Sequence, residues 1–316
     1  MLKTRLTERF GLQYPIMSSP MAGHSSGAFA AAVSNAGGFG LFGAAGMTPE
    51  HLQSEIEAAQ SQTQQPFGIG FITMFLDAEQ ALFEIALRAK AAAIALSFED
   101  PARWIERAHE AGIPVICQVQ SLDTAREAVE AGADVIVAQG REAGGHTGAP
   151  GLLPLLEEVL DTFPEQIVLA AGGIASGRSL AAVLAAGADG VWMGTRLLAT
   201  REAIVPDEHK RLIVESRAED TVFTPVYDIV AGGRWPRDIE ARLLRNRFAA
   251  EWEGRERELE DRIAEVRPRV LEARAGDPWQ NQAVYMGTGV NAIHSIEPVA
   301  DVMRSICEDA ERRLSR

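Results

Sequence analysis

VEAGADVIVAQ, residues 129–139, closes an amphipathic segment with Ala-Gly and enters a short apolar run within a few residues. HEAGIPVICQV at 109–119 and LAAGADGVWMG at 184–194 repeat the arrangement. A glycine just past a helical pattern reads as a left-handed C-terminal cap, because it has no Cβ to oppose positive φ, and Gly112, Gly132 and Gly187 stand in that place. Working outward from these units, short apolar runs bounded by Gly or Pro recur: Pro15 to Ser18, Phe39 to Gly43, Phe67 to Ile72, Ala93 to Ser97, Val115 to Val119, Val135 to Gln139, Val168 to Ala171 and Val191 to Gly194. The segments between them, such as 121–131 and 176–186, are Ala-rich and amphipathic, suited to packing closely on a sheet. Continuous apolar runs alternating with helical periods predict βα units around a buried parallel sheet. Eight such units predict an α/β fold, a (β/α)8 TIM barrel over residues 1–205, with an open doubly wound sheet as the alternative.

Beyond residue 205 the pattern changes. Residues 206–284 hold long charged segments such as 240–272 and no strand-like runs, which predicts a helical appendage with solvated faces and no assigned chemistry. Residues 285–316 return through Tyr285-Met286-Gly287-Thr288-Gly289 to a helix from Pro298 to Leu314 that packs back on the barrel. A net charge of −14 without a Lys/Arg stripe speaks against a nucleic-acid partner. Cys117 and Cys307 are the only cysteines, too few and too far apart in pattern for a disulfide framework or zinc cluster, so no metal and a reducing cytoplasm are expected. The N-terminus MLKTRLTERFGLQYPIM lacks an apolar signal core, and no stretch approaches the roughly 18–20 apolar residues of a membrane span. A homo-oligomer formed through the appendage is an expectation resting on its size alone.

In a barrel of this kind chemistry sits at the C-terminal ends of the strands, and a phosphate is commonly held by the loops after the seventh and eighth. Both loops are glycine-rich turns into helices: Gly172-Gly173-Ile174-Ala175-Ser176, and Trp192-Met193-Gly194-Thr195 at the last strand end. Glycines there let backbone N–H groups approach an anion, and Ser176 can cap the following helix. The loop after the sixth strand, 139–148, reads QGREAGGHTG and carries Gly144, Gly145 and His146. Such glycine density suits close approach to a ligand, and a histidine placed there can exchange a proton at neutral pH. His24, after the first strand, is the other histidine at a strand exit. Pro20, Met21 and Ala22 offer small and flexible apolar contact for a flat ring, while Gln118 and Gln139 end their strands with amides able to bond a polar ring edge. Each loop taken alone also reads as an ordinary βα turn, and each amide as a solvated strand end.

YPIMSSPMAG, SNAGGFG, PFGIGFI, GREAGGHTG, AAGGIASGR and GADGVWMGTRLLATRE, in this order, together resemble the nitronate monooxygenase family, formerly 2-nitropropane dioxygenases. The resemblance spans the barrel, and GREAGGHTG and AAGGIASGR are its specific segments. It implies FMN, with the phosphate on Gly172, Gly173, Gly194 and Thr195, ring contacts from Pro20, Met21 and Ala22, and further contacts from Gln139 and Gly144. It implies His146 as the base, and oxidation of a nitronate or nitroalkane by O2 to a carbonyl compound and nitrite. Gly70 stands where many members have Asn, so one side-chain contact to the flavin is missing. Two other flavoenzymes share the scaffold, enoyl-ACP reductases and NAD(P)H:quinone reductases. A phosphosugar isomerase or lyase would use the same glycine loops without flavin, and a degenerate, non-catalytic barrel is a further class. Dehydrogenases of the purine-nucleotide type need a loop cysteine, whereas Cys117 lies inside a strand.

Overall fold

A computed structural model describes residues 2–233, 235–236 and 238–315. Among the described residues eleven strands are present: β1 (Ile16–Ser18), β2 (Gly40–Gly43), β3 (Phe67–Ile72), β4 (Ala93–Ser97), β5 (Val115–Val119), β6 (Val135–Gln139), β7 (Gly145–Thr147), β8 (Ile167–Ala171), β9 (Gly190–Met193), β10 (Thr221–Thr224) and β11 (Glu240–Leu244). Eight of them form one parallel sheet in the order β1-β9-β8-β6-β5-β4-β3-β2. Its edges meet: Ser18 N–H donates to Phe39 O and Phe39 N–H to Ile16 O, both at 3.0 Å, so the sheet curls into a nearly closed barrel. β3 to β6 occupy the residues expected from sequence, and the other four barrel strands shift by one residue.

Alternation along the strands sorts side chains to two sides. Met17, Leu41, Ala95, Ile116, Val137, Leu169 and Trp192 pack inside the barrel, where Leu6 and Phe10 of the helix Arg5–Phe10 join them. Ile16, Ile94, Val115, Ile136, Val168 and Met193 face the surrounding helices. Those helices begin where sequence chemistry says they should. Ser121 and Ser176 each accept a hydrogen bond from the backbone N–H three residues on, in capping boxes; each cap is worth about 1 kcal/mol. Gly112, Gly132 and Gly187 hold φ of 73°, 97° and 108° at the helix ends. The final helix, Val299–Leu314, packs on Gly177–Ala185 so closely that a Cβ on Gly177 would lie 2.5 Å from Asp309 Cβ.

The appendage is not wholly helical, contrary to the sequence expectation. β10 and β11 pair antiparallel, and β11 pairs with β7, the short strand that carries His146, with Ala241 opposite His146. EARLL at 240–244 is built of strong helix formers, yet Ala241 and Leu243 are buried while Glu240, Arg242 and Leu244 are half-buried. That period of two takes over because β7 offers a free edge to pair with. Helices Arg247–Trp252, Glu256–Asp261 and Ile263–Gly276 follow, so the expected long helical segment is broken, once at Gly254 with φ 75°. Val226, Leu243, Phe248, Trp252 and Leu259 give the appendage a core of its own. Its Arg–Glu pairs at i,i+3 and i,i+4, such as Arg255–Glu258, lie in solvent, where screening leaves them little stabilising effect. Among the described residues no helix is long and apolar enough to cross a membrane.

Candidate active site

A cavity of about 330 Å³ opens at the C-terminal ends of the barrel strands, a volume within the usual range for small-molecule sites. The loops after β8 and β9 form one wall. Gly172 at φ 111° and Gly173 at φ 70° turn the backbone sharply, and Gly289 of the return segment lies against them. Gly194 and Thr195 follow β9 on the same wall, with Thr195 Oγ1 accepting from Gly287 N–H at 3.0 Å. Two residues of the expected set stand outside the cavity. Ser176 spends its hydroxyl in the capping box with Ser179, and Met193, 1% exposed, points into the helix layer because its neighbour Trp192 takes the inward position.

Pro20, Met21 and Ala22 line the cavity after β1, and Gly70 lines it from β3. The structure accounts for Gly70: a Cβ there would lie 2.3 Å from Pro20 Cβ and 2.4 Å from its Cγ. The proline ring fills the space an Asn side chain would need. Gln118 and Gln139 both border the cavity, but each is partly engaged. Gln118 Oε1 accepts from Ser97 Oγ at 2.6 Å. Gln139 Oε1 accepts from Gln120 Nε2 at 3.0 Å, and its own Nε2 donates to the His146 carbonyl at 3.2 Å. Gln139 therefore ties the histidine's strand to the barrel. Trp192 also borders the cavity, and its Nε1–H is buried with no hydrogen-bond partner among the described residues.

Gly144, Gly145 and His146 line the cavity after β6, with His146 on β7. The His146 side chain is 14% exposed, and Nε2 lies 3.0 and 3.1 Å from the two carboxylate oxygens of Asp228, itself 14% exposed. A carboxylate can only accept here, so Nε2 carries the proton and Nδ1 keeps the lone pair in the neutral ring. Among the described residues Nδ1 has no hydrogen-bond partner. The Trp235 indole stacks on the imidazole with centroids 3.7 Å apart and planes at 15°. Tyr285, 6.0 Å from His146 by ring centroids, borders the same space. Burial, reinforced by the negative charge of Asp228, pushes its hydroxyl up to about 12, so it stays a neutral donor.

Asp228 and Trp235 belong to the appendage, for which sequence reading expected no chemistry. Asp228 sits in the six-residue helix Val226–Ala231, which the pairing of β11 with β7 helps bring to His146. His24 also lines the cavity, its Nδ1 2.9 Å from Ala22 O and its ring edge-on to His209 and Tyr285. His209 is buried, which lowers its pKa to about 4 despite the Tyr285 carbonyl 3.2 Å from Nε2. At neutral pH it is an uncharged prop beneath Tyr285.

Comparison with known proteins matches this arrangement to a family. The nitronate monooxygenase family profile covers residues 3–86 and 80–309. The chain belongs to the nitronate monooxygenase family. Its members are FMN-dependent oxidoreductases on TIM barrels, as the resemblance in the sequence implied. FabK from Thermotoga maritima superposes with a TM-score of 0.88 at 31% identity, covering 100% of this chain and 98% of that one. A nitroalkane oxidase from Streptomyces ansochromogenes gives 0.82 at 28% identity, covering 98% and 99%. A Mycobacterium tuberculosis dehydrogenase of (3aS,4S,5R,7aS)-5-hydroxy-7a-methyl-1-oxo-octahydro-1H-indene-4-carboxyl-CoA is 36% identical over 229 residues, which are 72% of this chain and 64% of that relative's length.

The residues present fit FMN. The backbone at Gly172 and Gly173 turns through two positive φ angles, a run of the kind that receives a phosphate, and Pro20 and Met21, after the β1 strand that neighbours β9, give the cavity apolar surface beside it. Buried donors without partners are rare in folded proteins, so the Trp192 Nε1–H points to an acceptor supplied by a ligand.

Proposed function

We propose that this chain is an FMN-dependent enzyme that oxidises alkyl nitronates, and the nitroalkanes they derive from, with O2 to a carbonyl compound and nitrite. The observation that carries the proposal is the His146–Asp228 pair at the cavity wall. When bound, FMN supplies the electron transfer between substrate and oxygen. Gly172, Gly173, Gly194 and Thr195 hold its phosphate, and Pro20, Met21, Ala22, Gly70, Gln118, Gly144, Gly145 and Trp192 surround the rest. Nδ1 of His146 accepts the proton from the carbon bearing a neutral nitro group. Asp228 holds the tautomer and balances the imidazolium that forms. A pre-formed nitronate has already lost that proton and meets the site without need of the base. Tyr285 and the buried wall keep bulk water from the reacting carbon.

Asp228→Asn tests the pairing. The Asn amide turns its NH2 toward Nε2, which places the proton on Nδ1 and leaves the ring without a lone pair facing the cavity. We expect kcat/KM for a neutral nitroalkane to fall roughly 10²-fold in steady-state assays, within the range that misplaced tautomers cost. Asp228→Glu should recover part of it. Equal rates in Asp228→Asn and the parent would remove Asp228 from the mechanism.

A second reading is a reductase or dehydrogenase using NAD(P)H, favoured by the likeness to FabK and to the CoA-ester dehydrogenase. Anaerobic mixing separates the two. Flavin bleaching by an alkyl nitronate, nitrite release on admitting oxygen and no response to NADH or NADPH are the expected results. Bleaching by a pyridine nucleotide and not by nitronate would establish the reductase instead.

A further inference from the structure

Across the barrel from the glycine loops the cavity wall is apolar and largely aromatic. Ile72 at the end of β3, Phe98 after β4 and Trp235 from the appendage line it. The Trp235 indole meets Phe98 edge-on, with centroids 4.9 Å apart and planes at 82°, and meets Phe75 at 6.1 Å and 71°. Phe75 is 37% exposed, so the row of rings leads from His146 to the protein surface. Phe98 and Glu99 hold φ of 67° and 63°, a region that residues with a Cβ rarely adopt. The bend this makes at the end of β4 sets the Phe98 ring against Trp235.

We infer that Ile72, Phe98 and Trp235 form a subsite for an unbranched alkyl chain on the reacting carbon, and that Trp235 sets the chain-length preference. This rests on the nitronate reading for the head of the substrate and names the substituent behind it. A substrate carbon placed at His146 has Trp235 as an immediate apolar neighbour, because that indole covers one face of the imidazole. Among the described residues the walls offer no pair of parallel faces to sandwich a flat ring, whereas a flexible chain can follow their angles. These rings stand at steep angles to one another, and one indole face is already taken, so the walls suit a flexible chain. The exposed end at Phe75 puts no cap on its length.

The test measures kcat/KM for ethyl, butyl and hexyl nitronates. It also measures dissociation constants for unreactive straight-chain carboxylates of matching length, read from the flavin absorbance of the holoenzyme. Each methylene buried in the subsite should raise kcat/KM, and tighten carboxylate binding, about three- to fourfold. Trp235→Ala should flatten both slopes to below about twofold per methylene, a comparison of chain lengths within one variant that is independent of any change in its overall rate. Trp235→Phe, which keeps a ring in place and secures folding, should fall between them. A flat slope in the parent, or an undiminished slope in Trp235→Ala, overturns the subsite even if nitronates turn over. Nitronates that fail to react, beside carboxylates whose length dependence vanishes in Trp235→Ala, would sink the proposed reaction and uphold the subsite.

Discussion

Replacing His146 with alanine is expected to lower turnover of neutral nitroalkanes by about 10²- to 10⁴-fold, the span that a positioned general base contributes. The same variant should keep pre-formed nitronates within about tenfold of the parent rate. The asymmetry follows from the chemistry: a nitroalkane must lose a proton from carbon before it can be oxidised, whereas a nitronate has already lost it. The imidazole has Asp228 on one nitrogen and Trp235 on one face, so its truncation leaves a hole at the wall and no broken core contact. An unchanged visible spectrum would show that flavin is still held. Equal losses on both substrates would mean that His146 shapes the site and does not remove the proton. No loss on either would discard it from the reaction.

Gly172→Ala should strip the protein of flavin. Its φ of 111° is closed to a residue with a Cβ, and that Cβ would meet Gly140 O at 2.9 Å and Ala143 N at 3.1 Å. Both neighbours are backbone, so no side chain can swing aside. Strain of this kind costs about 1–3 kcal/mol before the contacts are counted, and each 1.4 kcal/mol is a factor of ten in binding. We expect FMN to bind at least about thirtyfold more weakly in fluorescence titrations. Gly187→Ala is the control. It has a similar φ of 108° but lies at a helix end away from the cavity, against the flexible Leu160 side chain. It should lose stability to denaturant and keep its flavin. If both variants retain FMN equally, the β8 loop is not the phosphate site.

The barrel was legible because its strands are short continuous apolar runs punctuated by glycine, a pattern that depends only on neighbours in sequence. The glycine density around His146 marked that loop for the same reason. Met193 was misplaced for want of one step: period-two alternation along β9 already sends Trp192 inward and Met193 outward. Ser176 carried a cap signal and a ligand signal together, and the cap uses its hydroxyl. Asp228 and Trp235 were not legible. Their placement depends on β11 crossing back to β7, and the helix-forming residues Glu240, Ala241, Arg242, Leu243 and Leu244 disguise that strand. The alternation of charged Glu240 and Arg242 with apolar Ala241 and Leu243 was the one hint of it.

The pairing of β7 with β11 means that cofactor cradle and reaction machinery are written in different stretches of chain. The glycine loops belong to the barrel alone, while the partner of His146 arrives from a segment with a core of its own. The same separation gives evolution a handle: exchanging residues 221–244 would re-aim the histidine and reshape the space beside it while leaving the loops after β8 and β9 untouched.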